Sequence, residues 1–152
     1  MFKGIGLFAG LTIFLAGTAL AETVAPGDVT ISDDLTISKS LTGMAGDPVA
    51  GRKVFANRKQ GNCLACHANK DLSEQLFHGE IGPPLDGVAE RWNVEQFRAI
   101  VTNAKVVFSD ATMMPGFYSL EVGEDVAKKF VGKTILTAQQ VEDVVAYLTT
   151  LK

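Results

Sequence analysis

The sequence predicts an all-α domain in which a few short helices are joined by long shaped loops and preceded by an extended N-terminal arm. Three observations predict it. Capped apolar stretches with helical periodicity begin at Asp47, Asn93 and Thr137. Five prolines and fifteen glycines fall mostly outside those stretches, where they punctuate loops. Between the first and second stretches stand the only two cysteines, Cys63 and Cys66, with His67 directly after them.

The N-terminal end does not belong to the predicted fold. Lys3 gives a short positive region, Ile5 to Ala19 is an apolar run broken only by Gly and Thr, and Ala19-Leu20-Ala21 has the small-x-small form of a signal-peptidase site. Residues 1–21 are therefore read as a signal peptide cleaved after Ala21. An uncleaved anchor is the alternative, because the run approaches the ~20 residues of a membrane span. The Ala-x-Ala site favours cleavage, and the absence of a cysteine near it argues against a lipoprotein. Export places the protein in the periplasm, with no membrane attachment after cleavage. The remaining chain, roughly 130 residues, suits one core. It divides into an arm, 22–46, and a domain, 47–152. Loss of Lys3 takes the formal charge from −3 to −4, a mildly acidic balance that offers no field for nucleic acid. The positive mean hydropathy owes part of its value to the signal peptide.

Within the arm, Val29-Thr30-Ile31 and Leu35-Thr36-Ile37 alternate weakly around the turn-like cluster Ser32-Asp33-Asp34. Two readings stand side by side: an extension wrapped on its own domain, or a strip that contacts a partner. The first helix opens with Asp47 as N-cap and Pro48 at its first position. It is expected to run to about Arg58, with Gly51 and Phe55 one turn apart on a shared face. Glycine there lets another helix approach closely. Gly61-Asn62 ends the segment.

Cys63-Leu64-Ala65-Cys66-His67 then forms the C-x-x-C-H attachment signature of c-type haem. Each thiol adds across one vinyl group, the two-residue gap on a helical turn matches the vinyl spacing, and His67 offers an imidazole nitrogen to the iron. Thioether attachment outside the bacterial cytoplasm agrees with export. A zinc site would want four ligands, and His78 lies too far from His67 for the second half of a finger. A thioredoxin-like pair needs a βαβ context, and a plain disulfide leaves the adjacent histidine unexplained.

Beyond the motif, His78 is weighed as a second iron ligand and preferred as an exposed or supporting imidazole. Gly82-Pro83-Pro84-Leu85 fixes the backbone and leaves carbonyls free, and Pro83 is the candidate acceptor for the second ring N–H of His67. A second helix spans Asn93 to Asn103, with Asn93 and Gln96 as a capping box and Trp92 stapled onto Phe97. Arg91 and Trp92 carry N–H groups suited to haem propionates, although Arg91 reads equally as a solvated charge.

Met113-Met114-Pro115-Gly116-Phe117-Tyr118 supplies a soft sulfur donor on a stiff loop, and His/Met ligation raises a haem potential. Met114 is preferred to Met113 for its contact with the proline. In the last helix Thr137 and Gln140 form a capping box and Leu136 staples onto Val141. Val141, Val144, Val145, Leu148 and Leu151 share one face there. Tyr147 and Leu148 are the expected partners of Gly51 and Phe55.

The order of these features resembles class I cytochromes c. The phrases Ser40 to Gly43, Gly46-Asp47-Pro48, Gly61 to His67, Ile81 to Leu85, Met114 to Tyr118 and Ile135 to Leu148 resemble the SoxX family, from about Gly27 to Leu151. The resemblance implies a class I cytochrome c fold, one haem c bound by Cys63 and Cys66, and axial ligands His67 and Met114. It implies a heterodimer with a SoxA-type haem subunit, in a complex that oxidatively joins thiosulfate to a carrier-protein cysteine. A downstream periplasmic acceptor takes the electrons, and no substrate chemistry is expected on this chain alone. Met113 departs from the family phrasing. A free-standing electron shuttle is the alternative of the same class, and a haem-free thiol–disulfide protein the alternative of another.

Overall fold

The computed structural model describes residues 22–152, so the expected signal peptide lies outside the described residues. Three α-helices carry the fold: α1 over Pro48–Ala56, α2 over Val94–Val107 and α3 over Ala138–Leu148. Single 3-10 turns at Pro26–Asp28, Cys63–Ala65, Lys70–Leu72, Val88–Glu90 and Lys128–Phe130 shape the long connections. Among the described residues there is no strand, and the fold is all-α.

α1 starts as its cap dictates. Asp47 accepts the Val49 N–H at 2.8 Å, and Pro48 occupies the first turn, where no N–H is needed. The helix stops at Ala56, two residues short of the expected Arg58. The reason is local. The Asn57 side chain accepts the Lys59 N–H and donates to Gln60, both at 2.9 Å, and this turn competes with another round of helix.

α1 then crosses α3 at its smallest residue. A Cβ on Gly51 would collide with the Asp143 carbonyl oxygen and crowd Tyr147. One turn on, Phe55 meets Tyr147 edge to face, with ring centroids 5.4 Å apart at 68°. The expected pairing of these faces is the pairing that forms.

α2 has both halves of its capping box, Asn93 and Gln96. It continues past the expected end at Asn103 to Val107, but with a break: Asn103 itself is non-helical, φ −152° and ψ 88°. Its side-chain oxygen accepts the Lys105 N–H at 3.2 Å and restarts the helix. At this break the carbonyls of Val101 and Thr102 turn to Phe117 and Tyr118, accepting their N–H groups at 3.3 and 3.1 Å. The break therefore ties α2 to the methionine-bearing loop.

α3 buries Val141, Val144, Val145 and Leu148 of the expected stripe, and Leu151, which lies beyond the helix end at Leu148, is buried as well. It also buries two acids, Glu142 at 4% and Asp143 at 8% exposure. Glu142 is gripped by the Arg98 guanidinium at 2.9 and 3.1 Å and accepts the Leu41 N–H at 2.7 Å. Arg98 also donates to the Ile37 carbonyl at 2.7 Å. Asp143 accepts the Asp47 N–H and the Gln139 amide, each at 2.9 Å.

These groups lash the arm to α2 and α3. Ile37 and Leu41 sit in the core, the Ile37 N–H bonds Glu95, and the Tyr118 hydroxyl donates to Val24 at 2.7 Å. The arm wraps on its own domain, as one of its two readings expected. The weak alternation around Ser32 makes a turn, Leu35 N–H to Ser32, with no strand on either side.

Candidate cofactor-binding site

A cavity of about 700 Å³ opens between the cysteine motif, the proline loop, the methionine loop and the inner faces of the helices. Its size lies within the ~300–1,000 Å³ typical of small-molecule and cofactor sites. Phe55, Phe97, Ile100, Val101, Val144 and Leu148 give it an apolar wall.

The motif is presented by a turn that its neighbours set up. Asn62 takes a left-handed conformation, φ 50° and ψ 34°, and Cys63–Ala65 then winds as a 3-10 turn. The Cys63 carbonyl accepts from both Cys66 and His67 N–H groups, at 3.1 and 3.0 Å. Both thiols and the His67 imidazole line the cavity as a result. Burial pushes the Cys63 thiol up to about 12.

His67 is oriented by the proline loop. Its Nδ1 lies 2.8 Å from the Pro83 carbonyl oxygen, which can only accept. Nδ1 therefore carries the proton, and Nε2 keeps the lone pair. Gly82 makes room for this contact, since a Cβ there would collide with the imidazole ring. The loop is pinned in turn. Gly82 N–H bonds the Cys66 carbonyl at 2.8 Å and Leu85 N–H bonds Ala68 at 2.9 Å.

Arg91 completes that pinning. Its guanidinium donates to the carbonyls of Pro84 at 2.8 Å and Asp86 at 3.1 Å. The sequence offered a propionate contact or a solvated charge. The structure shows it clamping the loop that orients His67 while also lining the cavity. Trp92 lines the cavity and packs edge-on to Phe108, centroids 6.2 Å apart, whereas the sequence pointed to Phe97. Phe97 is itself buried in the wall.

On the methionine loop the two thioethers part company. Met114 is half-buried and packs against the core, while Met113 is 74% exposed. Both border the cavity. His78 is elsewhere: Nδ1 accepts the Asn69 N–H at 3.2 Å and Nε2 donates to Leu72 at 3.1 Å. With both nitrogens engaged by backbone, His78 has no lone pair for an iron.

One group of supporting residues escaped the sequence reading. Asn69, 1% exposed, donates to the Tyr147 hydroxyl at 2.9 Å, and Tyr147 donates to Asp71 at 2.7 Å. Arg52 reaches the same Asp71 oxygen at 2.8 Å. The bonds from Tyr147 and Arg52 hold the Asp71 carboxyl below its usual range, and burial, aided by Asp71, raises the Tyr147 phenol. This chain fixes the turn that follows the motif. Its one local signal was the Asn69-x-Asp71 spacing, a side-chain cap closed at 3.1 Å.

The site thus gathers two thiols, one oriented imidazole and two thioethers around a largely apolar space. Among the described residues, no three of His, Cys, Asp and Glu come together as a group that could hold a metal ion. The donor set and the cavity fit a haem attached through Cys63 and Cys66.

Comparison with known proteins agrees. The cytochrome c family model matches residues 48–152. The crystal structure of SoxXA from P. pantotrophus is similar at 42% identity and a TM-score of 0.77, over 86% of this chain and 98% of that chain. No curated protein sequence matches.

Proposed function

The chain belongs to the cytochrome c family, and from that premise, with its likeness to SoxXA, we propose that it is the SoxX-type electron-transfer subunit of a SoxAX complex. It is a monohaem cytochrome, with one haem c held covalently through Cys63 and Cys66. The complex would join thiosulfate oxidatively to a carrier-protein cysteine, with a SoxA-type subunit as the heterodimeric partner.

When bound, the haem supplies one-electron redox chemistry. The chain's own residues hold and orient. His67 Nε2 would be the nitrogen that holds the iron, kept in the right tautomer by the Pro83 carbonyl, and Met114 would supply the sulfur. Held by those two side chains, the group would keep no open position for substrate, so the chain would pass electrons without substrate chemistry of its own. The apolar wall keeps water from the site. Ile81, Phe108 and Met113 line the cavity yet stand at least half exposed, an apolar rim suited to docking the partner haem subunit. A downstream acceptor would then take the electrons.

We place the chain in the periplasm, exported by residues 1–21. Among the described residues no helix is long and apolar enough to cross a membrane.

The observation that carries this reading is the 2.8 Å His67–Pro83 contact inside a cavity that Met114 also borders. The test is the visible spectrum of protein matured with haem. The ferric form should show the methionine–iron charge-transfer band. Met114→Ala should abolish that band and Met113→Ala should keep it; the reverse pattern moves the ligand to Met113. Co-purification with a larger haem subunit is expected, and a lone monomer would favour the free shuttle.

A further inference from the structure

The loop that presents Met114 leaves the end of α2 and returns to it, and each leg is tied to that helix. The return leg is held by backbone alone, through the Phe117 and Tyr118 N–H groups on the Val101 and Thr102 carbonyls. The outgoing leg is held by one side chain. Lys105 donates from Nζ to the Thr112 carbonyl at 2.8 Å and to the Asp110 carbonyl at 3.1 Å. Thr112 stands two residues before Met114.

Three further facts mark this lysine out from a solvated surface charge. It is half-buried. Its stem lies under the backbone of Gly123, where a Cβ would sit 3.3 Å from Lys105 Cε. Among the described residues its ammonium makes no ion pair, so the two carbonyls are its observed partners. The Asn103 break sets its direction, because Lys105 N–H takes the Asn103 side-chain oxygen and begins the last helical turn from there.

A thioether is a neutral and weak ligand. How long it stays on a metal depends on how firmly its loop is held before and after binding. Hydrogen bonds from a charged donor are the strongest single ties available to such a loop. Resting on the reading of Met114 as axial ligand, we propose that Lys105 is a positioning residue for it. Its ammonium keeps the methionine loop closed on α2, so that the sulfur is aimed at the iron and is slow to be displaced.

The experiment follows displacement of the methionine by added imidazole in the ferric holoprotein, read from loss of the charge-transfer band. Lys105→Met should raise the displacement rate roughly tenfold or more, the scale set by losing bonds from a charged donor. Lys105→Gln, which keeps a donor, should fall between, and Lys105→Arg should restore a rate near that of the parent. Far-UV circular dichroism of each variant should match the parent, and Lys133→Met serves as a control that leaves the rate unchanged. A rate for Lys105→Met within twofold of the parent overturns the proposal while leaving Met114 as ligand. If the parent lacks the band, or Met114→Ala keeps it, the ligand reading fails and this proposal falls with it.

Discussion

Asp71 shows how much one exposed carboxylate can owe to its neighbours. The Tyr147 hydroxyl and then the Arg52 guanidinium bond to it, and both favour its charged form. Its folded pKa is below the unfolded value of about 4, so its contribution is complete above that value and is lost as acid carries the pH down through the folded one. The side chain is 46% exposed, which limits the effect to below about 1 kcal/mol. Asp71→Asn should therefore flatten the acid limb of stability: between about pH 5 and pH 3 the parent's urea midpoint should fall further than the variant's. Parallel curves would rule this out. At this scale the sequence spoke well for residues that gather at the cavity. Cys63, Cys66, His67 and Pro83 were legible because their roles rest on covalent spacing and on proline's lack of an N–H. Arg91 was less legible, since a guanidinium serves propionates, solvent or carbonyls equally well until the loop beneath it has a position.

Between elements, the crossing of α1 and α3 turns on Gly51. A methyl group there meets backbone, the Asp143 carbonyl, which no rotamer change can move aside. The helices must separate, at a cost of about 1–3 kcal/mol or more. Gly51→Ala is expected to lower the thermal midpoint by several degrees, and an unchanged midpoint would mean that the crossing yields more easily than its geometry implies. Element starts were readable because capping boxes are local: Asn93 with Gln96 and Thr137 with Gln140 act over three residues. Element ends were not. The Asn57 turn shortened α1, and the methionine loop, folding back on Val101 and Thr102, accompanies the break at Asn103. Those competitors are respectively a side-chain alternative and a segment some fifteen residues away in the chain.

For the molecule as a whole, the buried Arg98–Glu142 pair joins what the chain keeps apart. It brings together the arm through Ile37 and Leu41, α2 through Arg98, and α3 through Glu142. Removing one partner leaves the other buried and unmatched, which typically costs about 3–5 kcal/mol. Glu142→Gln should therefore lose stability of that order in urea unfolding, whereas the double change Arg98→Met with Glu142→Leu should recover much of it. A loss below about 1 kcal/mol for the single variant would show that the arm is held by its apolar contacts alone.

By itself the sequence determined the all-α class, the helix starts, the attachment motif and the two candidate thioethers. Each of these is written in residues a few positions apart, where spacing and capping chemistry act without the rest of the chain. Only the tertiary structure decided that the arm wraps on its own domain, that Glu142 and Asp143 are buried, that Met114 is half-buried against the core while Met113 is exposed, and that Lys105 bonds the backbone of their loop. In each of those cases the deciding partner lies on another segment or on the far side of a loop. A polar or soft side chain takes its role from whichever group the fold brings within hydrogen-bonding or packing reach.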